Sequence, residues 1–291
     1  MRTSWLTFLT IICFALLSAA CRKNNITRQI NNPSLPGIDT SNGNPANPSQ
    51  RVSYNQVPVH ERIGDNVGGY YQALPPSYDS SDKQFPLLVF LHGGGELGDG
   101  SDTSLPKILK NSITRRLHEK DFPVSFTVNN QSFSFIIISP QFAEWPKVAD
   151  VHEVIMHAIG KYRVDVSRIY LSGLSMGGGA TWEYAGSQYG TLLASIVPMC
   201  GASWADSAVA KKIAQNEIPA WAFHNEDDAA VTVKSTTRYA RLIAAANPKY
   251  PVKVTLWPTG GHDAWTKASD PNYKEEGMNM YEWMLQYVRV N

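Results

Sequence analysis

Short apolar runs alternate with amphipathic stretches over the last 240 or so residues of this chain. The apolar runs predict six strands, and the stretches between and after them have the 3.6-residue period of helices. Strands that are apolar nearly throughout favour a mostly parallel sheet with both faces covered. We therefore predict an α/β fold whose functional residues lie on loops beyond the carboxyl ends of the strands. The predicted strands are 86–95, 133–141, 168–173, 193–201, 219–225 and 251–258, and the predicted helices are 148–162, 177–190, 235–247 and 277–288.

The N-terminal segment has a different pattern. Arg2 precedes an apolar run over 5–17, and small residues then lead to Cys21. This order is typical of an export signal, and the run is too short for a stable membrane-spanning helix. It resembles the signal of bacterial lipoproteins, so we expect residues 1–20 to be removed and Cys21 to be lipidated. Cleavage that leaves Cys21 as a free thiol and an uncleaved membrane anchor are the alternatives.

Residues 21–52 are rich in Asn, Pro, Ser, Gly and Thr and have no hydrophobic period. Such a composition cannot bury a core, so we predict a flexible tether. Residues 53–291 contain no second linker and no internal repeat, which predicts a single domain. The expected location is the cell envelope, in the periplasm or attached to the outer membrane, with secretion as the alternative.

Charge and cysteine content narrow the possible functions. The 291 residues carry 26 Lys and Arg and 25 Asp and Glu, a formal net charge of +1, so we predict no nucleic-acid partner. Of the three cysteines, Cys13 would leave with the signal and Cys21 would be acylated. Cys200 would then have no partner for a disulfide, and its apolar neighbours predict a buried, inert thiol.

The segment LSGLSMGGGATWEYA (171–185) contains a G-x-S-x-G pattern centred on Ser175. It lies between a predicted strand and a predicted helix, the setting that a nucleophile elbow requires. Gly173 and Gly177 would keep side chains away from neighbouring backbone, and the helix N-terminus would direct N–H groups at developing negative charge. A nucleotide-binding turn is the competing interpretation, but the glycines around Ser175 lack G-x-G-x-x-G spacing.

An activated serine needs a base, and the base needs an acid that orients it. Two histidines follow Ser175 in the chain, His224 and His262. We predict that His262 is the base, because it lies in a glycine-rich loop directly after the last predicted strand. His224 ends a strand and is interpreted as a structural residue. The acid is expected just after His224, where we favour Asp228 and keep Asp227 as the alternative.

Two backbone N–H groups are needed to bind an oxyanion. We predict one from Met176, the residue after the serine. The other is expected from the loop LHGGGELGDG (91–100), where Gly94 is the first choice and Gly93 the alternative. A phosphate-binding loop is disfavoured, because acidic Glu96 in the same loop would repel a phosphate.

Three tryptophans, Trp145, Trp204 and Trp265, lie on or near loops at the same end of the predicted sheet. They are candidates for stacking on sugar or phenolic rings, and ordinary packing of a buried indole is the competing interpretation. Trp265, three residues after His262, is the best candidate for lining a pocket. The His and Cys residues show no metal-ligand spacing, so we predict neither a metal nor an organic cofactor.

Four motifs now stand in a fixed order along the chain. Together they resemble α/β-hydrolases of the serine esterase type, above all secreted carbohydrate esterases similar to feruloyl and acetyl-xylan esterases. A related group of peptidases, phospholipases and carboxylesterases is also similar. The resemblance covers about 65–288 and implies a triad of Ser175, Asp228 and His262. The motifs are LHGGGELGDG (91–100), GLSMGG (173–178), FHNEDD (223–228) and GGHDAW (260–265).

The chain also departs from this family. Asn225, Leu97 and Gly190 stand where the family commonly has Gly, Arg and Pro. The resemblance implies an exported hydrolase that works through an acyl-enzyme. Its expected substrates are esters of plant polysaccharides or of related carbohydrate and phenolic compounds, and its only expected membrane contact is a lipid on Cys21. A serine peptidase of the same fold, a polyester or lipid esterase, and a non-catalytic glycan-binding lipoprotein are the alternatives.

Overall fold

The structure is a computed structural model that describes residues 52–289. The predicted signal peptide, the lipidation site at Cys21 and the tether up to residue 51 lie outside the described residues. Within the described part of the chain, no helix is long and apolar enough to cross a membrane.

Within residues 52–289, ten strands form one eight-stranded sheet and a separate two-stranded hairpin. The strands are β1 Asn55–Val59, β2 Val67–Leu74, β3 Phe85–Leu91, β4 Phe126–Val128, β5 Gln131–Phe133, β6 Ile136–Phe142, β7 Val164–Leu174, β8 Ser195–Met199, β9 Trp221–Asn225 and β10 Lys253–Trp257. The large sheet has the order β1-β2-β6-β3-β7-β8-β9-β10, and β4 pairs with β5. β1 and β2 are antiparallel to their neighbours, and the pairs from β6 to β10 are parallel. The prediction of a mostly parallel sheet is confirmed.

Helices cover both faces of this sheet. The α-helices are α1 Ser112–His118, α2 Val148–Lys161, α3 Met176–Ala185, α4 Ser207–Gln215, α5 Lys234–Ala245, α6 Trp265–Ala268 and α7 Met280–Leu285, and 3-10 turns occur at Gly94–Glu96, Leu105–Lys110 and Gly190–Leu192. The last helix is shorter than the predicted 277–288. It begins after Asn279, whose side chain caps it by accepting hydrogen bonds from two backbone N–H groups, and it ends at Leu285. α3 likewise ends before residue 190, at its C-cap Gly186.

The central strands are buried on both faces, which explains their continuous apolar sequences. Every residue of β3 is buried. Leu87, Val89 and Leu91 join one hydrophobic cluster and Leu88 and Phe90 join the other, as the alternation of side chains along a strand requires. The carboxyl ends of the parallel strands therefore share one edge, where their loops meet.

Candidate active site

Ser175 stands between β7 and α3 in a strained conformation. Its φ is 50° and its ψ is −115°, values that a residue with a side chain adopts only at a cost in free energy. The backbone hydrogen bonds of the turn offset that strain. The Ser175 N–H donates to the Met199 carbonyl at 3.0 Å, and the Ser175 carbonyl accepts from Gly179 at 2.9 Å and from Ala202 at 2.8 Å. The turn is thus anchored to β8 and to the loop that follows it.

Two glycines make this turn possible. A Cβ on Gly173 would lie 2.4 Å from the carbonyl oxygen of Gly177, and a Cβ on Gly177 would lie 2.2 Å from that of Leu91. Both distances are far inside van der Waals contact. The G-x-S-x-G pattern is therefore a steric requirement of the way β3, β7 and α3 approach one another.

The structure brings Ser175, His262 and Asp228 into one hydrogen-bonded chain. His262 Nε2 lies 2.9 Å from Ser175 Oγ, and His262 Nδ1 lies 2.7 Å from Asp228 Oδ2. The other carboxylate oxygen, Oδ1, accepts from the N–H groups of Ala230 and Val231 at 2.9 and 2.8 Å. Because an ionised carboxylate can only accept, Nδ1 carries the imidazole proton and the lone pair of Nε2 faces the serine hydroxyl.

Asp227 serves the same loop in a different way. Its carboxylate accepts from the N–H of Gly261 at 2.8 Å and from that of Gly260 at 3.2 Å. Asn225 Nδ2 donates to the Gly261 carbonyl at 3.0 Å. Both side chains hold the two-glycine turn that precedes His262, whose glycines have φ values of 142° and 58°. Of the two candidate acids, the structure places Asp228 at the imidazole and Asp227 at the turn.

His224 supports the acid from behind. Its buried ring has Nε2 2.8 Å from the Val231 carbonyl and 3.3 Å from Asp228 Oδ2, and Nδ1 2.8 Å from Thr236 Oγ1. Since the Val231 carbonyl can only accept, His224 Nε2 carries the ring proton, and this N–H group also faces the carboxylate of Asp228. Burial lowers the pKa of His224, so the ring is neutral at neutral pH. The structural role expected for His224 thus includes a contact with Asp228.

The amides of the glycine loop are not equivalent. The Gly93 N–H donates to Glu96 Oε2 at 2.7 Å. Within residues 52–289, the N–H groups of Gly94 and Met176 donate to no other residue. A Cβ built on Gly93 would lie 3.7 Å from that of Ser175, so this loop lies directly beside the serine. Gly94 rather than Gly93 therefore has a free N–H for an oxyanion.

Glu96 is a site residue whose role the sequence did not reveal. Its side chain is buried, and Oε1 accepts from Asn111 Nδ2 at 2.7 Å while Oε2 binds the Gly93 amide. Burial raises the pKa of the Glu96 carboxyl. Glu96, predicted from the sequence to repel a phosphate, is an internal support of the loop.

His92 ties the same loop to the sheet. Its Nε2 accepts from the backbone N–H of Phe142 at 3.0 Å, which leaves Nδ1 to donate to the Gly93 carbonyl at 2.7 Å. The ring is almost completely buried, and this burial lowers its pKa to about 4. The neutral imidazole and its tautomer are thereby fixed.

We expect the free energy of unfolding to fall as the pH drops from about 6.5 to about 4, because an unfolded histidine takes up a proton that folded His92 excludes. This fall in the free energy of unfolding reaches about 3 kcal/mol once the pH is below the pKa of His92 in the folded protein. Urea denaturation between pH 4 and 7 measures it. His92→Asn should give a flatter pH dependence than the wild type, and His118→Asn, at an exposed histidine, should not. Equal slopes for His92→Asn and wild type would contradict this assignment.

All three candidate tryptophans follow strands, at the edge of the sheet where the carboxyl ends of the parallel strands meet. Trp145 comes after β6 and is 48% exposed, and Trp204 comes after β8 and is 72% exposed. Neither of these two indoles is buried in a hydrophobic core. Trp265 begins α6, and its ring meets that of His262 edge-on, with centroids 5.2 Å apart and planes at 89°. Trp265 is the tryptophan that the structure brings to the triad.

A group of possible metal ligands overlaps the same site. Cys200 Sγ, a carboxylate oxygen of Asp228 and a ring nitrogen of His262 lie within 4.8 Å of one another. Burial raises the pKa of the Cys200 thiol to about 12, so the thiol keeps its proton, and it donates to the His262 carbonyl at 3.3 Å. Metals bind the thiolate, and the other two ligand atoms already bond to each other. The group fits a hydrogen-bonded network better than a metal centre.

Comparisons with known proteins are informative at the level of the fold. No protein-family model matches this chain, and no curated protein matches it. Among solved structures, a thermostable esterase is similar with a TM-score of 0.56 and 23% identity, over 81% of this chain and 64% of that one. A ferulic acid esterase has a TM-score of 0.54 and 17% identity, over 75% and 95%. An acylaminoacyl peptidase is similar with a TM-score of 0.50 and 12% identity, over 73% of this chain and 38% of the peptidase.

This chain thus spans less than two thirds of the thermostable esterase and a little over a third of the peptidase. The shared part is the sheet with its flanking helices. With the strand order described above, it establishes that the chain has the α/β-hydrolase fold.

Proposed function

We propose that this protein is a serine hydrolase of carboxylic esters, with Ser175 as nucleophile, His262 as base and Asp228 as the orienting acid. One observation carries the proposal: a hydrogen-bonded chain runs from a buried carboxylate through an imidazole to a hydroxyl on a positive-φ turn. A strained turn of this kind persists when its surroundings hold it in place, and such turns cluster at active sites. A purely structural serine would not need it.

The geometry supports the following reaction. Ser175 Oγ bonds to the ester carbonyl carbon as His262 Nε2 takes its proton, and Asp228 stabilises the imidazolium. The oxyanion accepts hydrogen bonds from the N–H groups of Met176 and Gly94. When the C–O bond breaks, the alcohol leaves with the proton from His262, and the acyl group stays on Ser175. Water then attacks the acyl carbon, His262 takes its proton and returns it to Oγ, and the acid is released.

For the natural substrate we propose an ester on a plant polysaccharide or a related carbohydrate or phenolic compound. Trp145 and Trp204 support this class of substrate. Both are exposed on loops that follow the carboxyl ends of parallel strands, and indole faces stack on sugar and phenolic rings. The fold is also shared with a ferulic acid esterase. Rates of ester release from acetylated xylan, feruloylated arabinoxylan and tributyrin would rank the acyl groups.

A fluorophosphonate probe tests the central proposal. Such probes bond covalently to serines activated by a neighbouring base, so we expect stoichiometric labelling that peptide mapping places on Ser175. A glycan-binding protein that merely retains the fold would not be labelled. Absence of labelling, together with absence of p-nitrophenyl acetate hydrolysis, would contradict the proposal.

We also propose that the protein is exported and anchored by a lipid on Cys21. The support is the sequence of residues 1–21, in which an apolar run is followed by small residues and a cysteine. Cells expressing the full chain should incorporate labelled palmitate into it, and Cys21→Ala should abolish this. Equal incorporation in both proteins would contradict the assignment.

A further inference from the structure

The loop after β8 joins the candidate nucleophile to an exposed aromatic residue. Ala202 donates its N–H to the Ser175 carbonyl at 2.8 Å, and Trp204 follows two residues later. Two residues span at most about 7.2 Å between Cα atoms, so the backbone of Trp204 lies near the turn that carries Ser175. α3 approaches this loop so closely that a Cβ on Gly179 would lie 2.6 Å from the Ala202 carbonyl oxygen.

Side chains on α3 and α5 hold the loop rigidly. Ser203 Oγ donates to Glu183 Oε1 at 2.8 Å and lies 3.0 Å from the hydroxyl of Tyr239. Tyr239 is itself fixed, since its ring stacks on that of buried Trp182 with centroids 4.6 Å apart. These contacts anchor the segment that carries Trp204 to α3 and α5.

The indole of Trp204 has one covered face and is 72% exposed overall. The guanidinium carbon of Arg238 lies 4.9 Å from the centre of the ring, and Arg238 Nε donates to the Ala205 carbonyl at 3.0 Å. Orienting an indole on a fixed guanidinium reduces its freedom before any ligand binds. An exposed aromatic ring held in this way is a preformed platform.

Hydrogen-bonding groups without protein partners lie around this platform. Within the described residues, Glu183 Oε2 and the two terminal nitrogens of Arg238 make no hydrogen bond. One acceptor and several donors beside an aromatic face match a sugar ring, which has C–H groups on its faces and hydroxyls around its edge. Burial raises the pKa of Tyr239, and the nearby carboxylates of Glu183 and Asp206 raise it further, so the guanidinium of Arg238 is not the only charge in this region.

We propose that Trp204, Arg238 and Glu183 form a subsite that binds a neutral sugar ring in a part of the substrate away from the ester bond. An anionic sugar would meet the carboxylate of Glu183 as well as the guanidinium of Arg238, so the subsite favours an uncharged one. This proposal deepens the proposed function, on which it rests for its biological meaning. Its binding chemistry can be tested without any ester.

The test is calorimetric titration of the protein with unesterified xylotetraose, and with a galacturonic acid tetramer as the charged control. We expect the wild type to bind xylotetraose more tightly than the anionic sugar. Trp204→Ala should raise the Kd for xylotetraose about tenfold or more, the effect of truncating an aromatic anchor. Trp204→Phe, which keeps an aromatic face, should lose much less. Met156→Ala, at an exposed residue of α2, is the control that leaves the Kd unchanged.

A kinetic measurement separates this proposal from the proposed function. The ratio of kcat/KM for acetylated xylotetraose to kcat/KM for p-nitrophenyl acetate should fall about tenfold in Trp204→Ala. Equal Kd values for wild type and Trp204→Ala, no binding by the wild type, or tighter binding of the anionic sugar would each overturn the subsite. Sugar binding that depends on Trp204 in a protein that hydrolyses no ester would support the subsite and overturn the esterase function.

Discussion

Ser175→Ala is expected to lower kcat for p-nitrophenyl acetate by about 10⁴- to 10⁶-fold, to the level left by binding and the oxyanion hole alone. Without Oγ, His262 Nε2 has no hydroxyl from which to take a proton, and no acyl-enzyme can form. Stopped-flow and steady-state assays at saturating substrate measure the loss. The same variant should lose all labelling by a fluorophosphonate probe.

The variant should remain folded, which makes the experiment decisive. The hydrogen bonds that hold the elbow come from the backbone N–H and carbonyl of Ser175, and alanine keeps both groups and the Cβ. Ser187→Ala is the matched control, because its Oγ bonds only to local backbone after α3: it donates to the carbonyl of Tyr184 and accepts from the N–H of Tyr189. Its activity should stay within about twofold of wild type. If Ser175→Ala kept more than a few per cent of the activity with a native thermal transition, Ser175 would not be the nucleophile.

The sequence predicted the centre of the fold better than its edge. β3 is buried on both faces and its sequence FPLLVFL is apolar throughout, and the equally buried β6 begins with three isoleucines, so both strands are easy to recognise. β2 and β1 are not among the predicted strands, because the β2 sequence VGGYYQAL contains two glycines, which weaken a strand signal, and β1 contains a proline. These two strands form by antiparallel pairing with their neighbours, and the local sequence pattern does not predict that pairing.

The candidate site could be predicted where backbone geometry dictates the residue type. Gly173 and Gly177 are required by contacts of less than 2.5 Å, and Ser175 lies between them. The charged residues around the site were harder to interpret. Glu96 and His92 belong to residue types that are usually solvated or catalytic, and here they are buried supports of the glycine loop. Their roles depend on neighbours far apart in sequence, such as Phe142.

The choice between Asp227 and Asp228 shows the same limit. Adjacent carboxylates have the same chemistry, and sequence position favours one over the other only weakly. In the structure, one residue of difference turns Asp228 toward His262 and Asp227 toward the amides of Gly260 and Gly261. The position of the acid along the chain can thus be predicted to within one residue. The direction in which its carboxylate points depends on how the loop folds, and only the structure shows it.

Asp228→Asn is expected to lower kcat by about 10⁴-fold through a change of tautomer. Oδ1 accepts two backbone N–H groups, from Ala230 and Val231, so the oxygen of the asparagine must stay there. Its NH₂ group then faces His262 Nδ1, where the carboxylate was. Because NH₂ donates, Nδ1 must accept, and the imidazole proton moves to Nε2. An Nε2 that already carries a proton cannot take one from Ser175.

Asp227→Asn provides the matched comparison at the adjacent residue. Its carboxylate accepts from two glycine amides, one on each oxygen, so the asparagine loses one hydrogen bond of the turn and leaves the tautomer of His262 unchanged. Loss of a bond of this kind weakens positioning by about 1 kcal/mol, and kcat should fall by no more than about tenfold. Steady-state kinetics of both variants with p-nitrophenyl acetate at pH 7 to 9 separate the two roles. Similar losses in the two variants, or a larger loss in Asp227→Asn, would show that Asp228 does not set the proton position on His262.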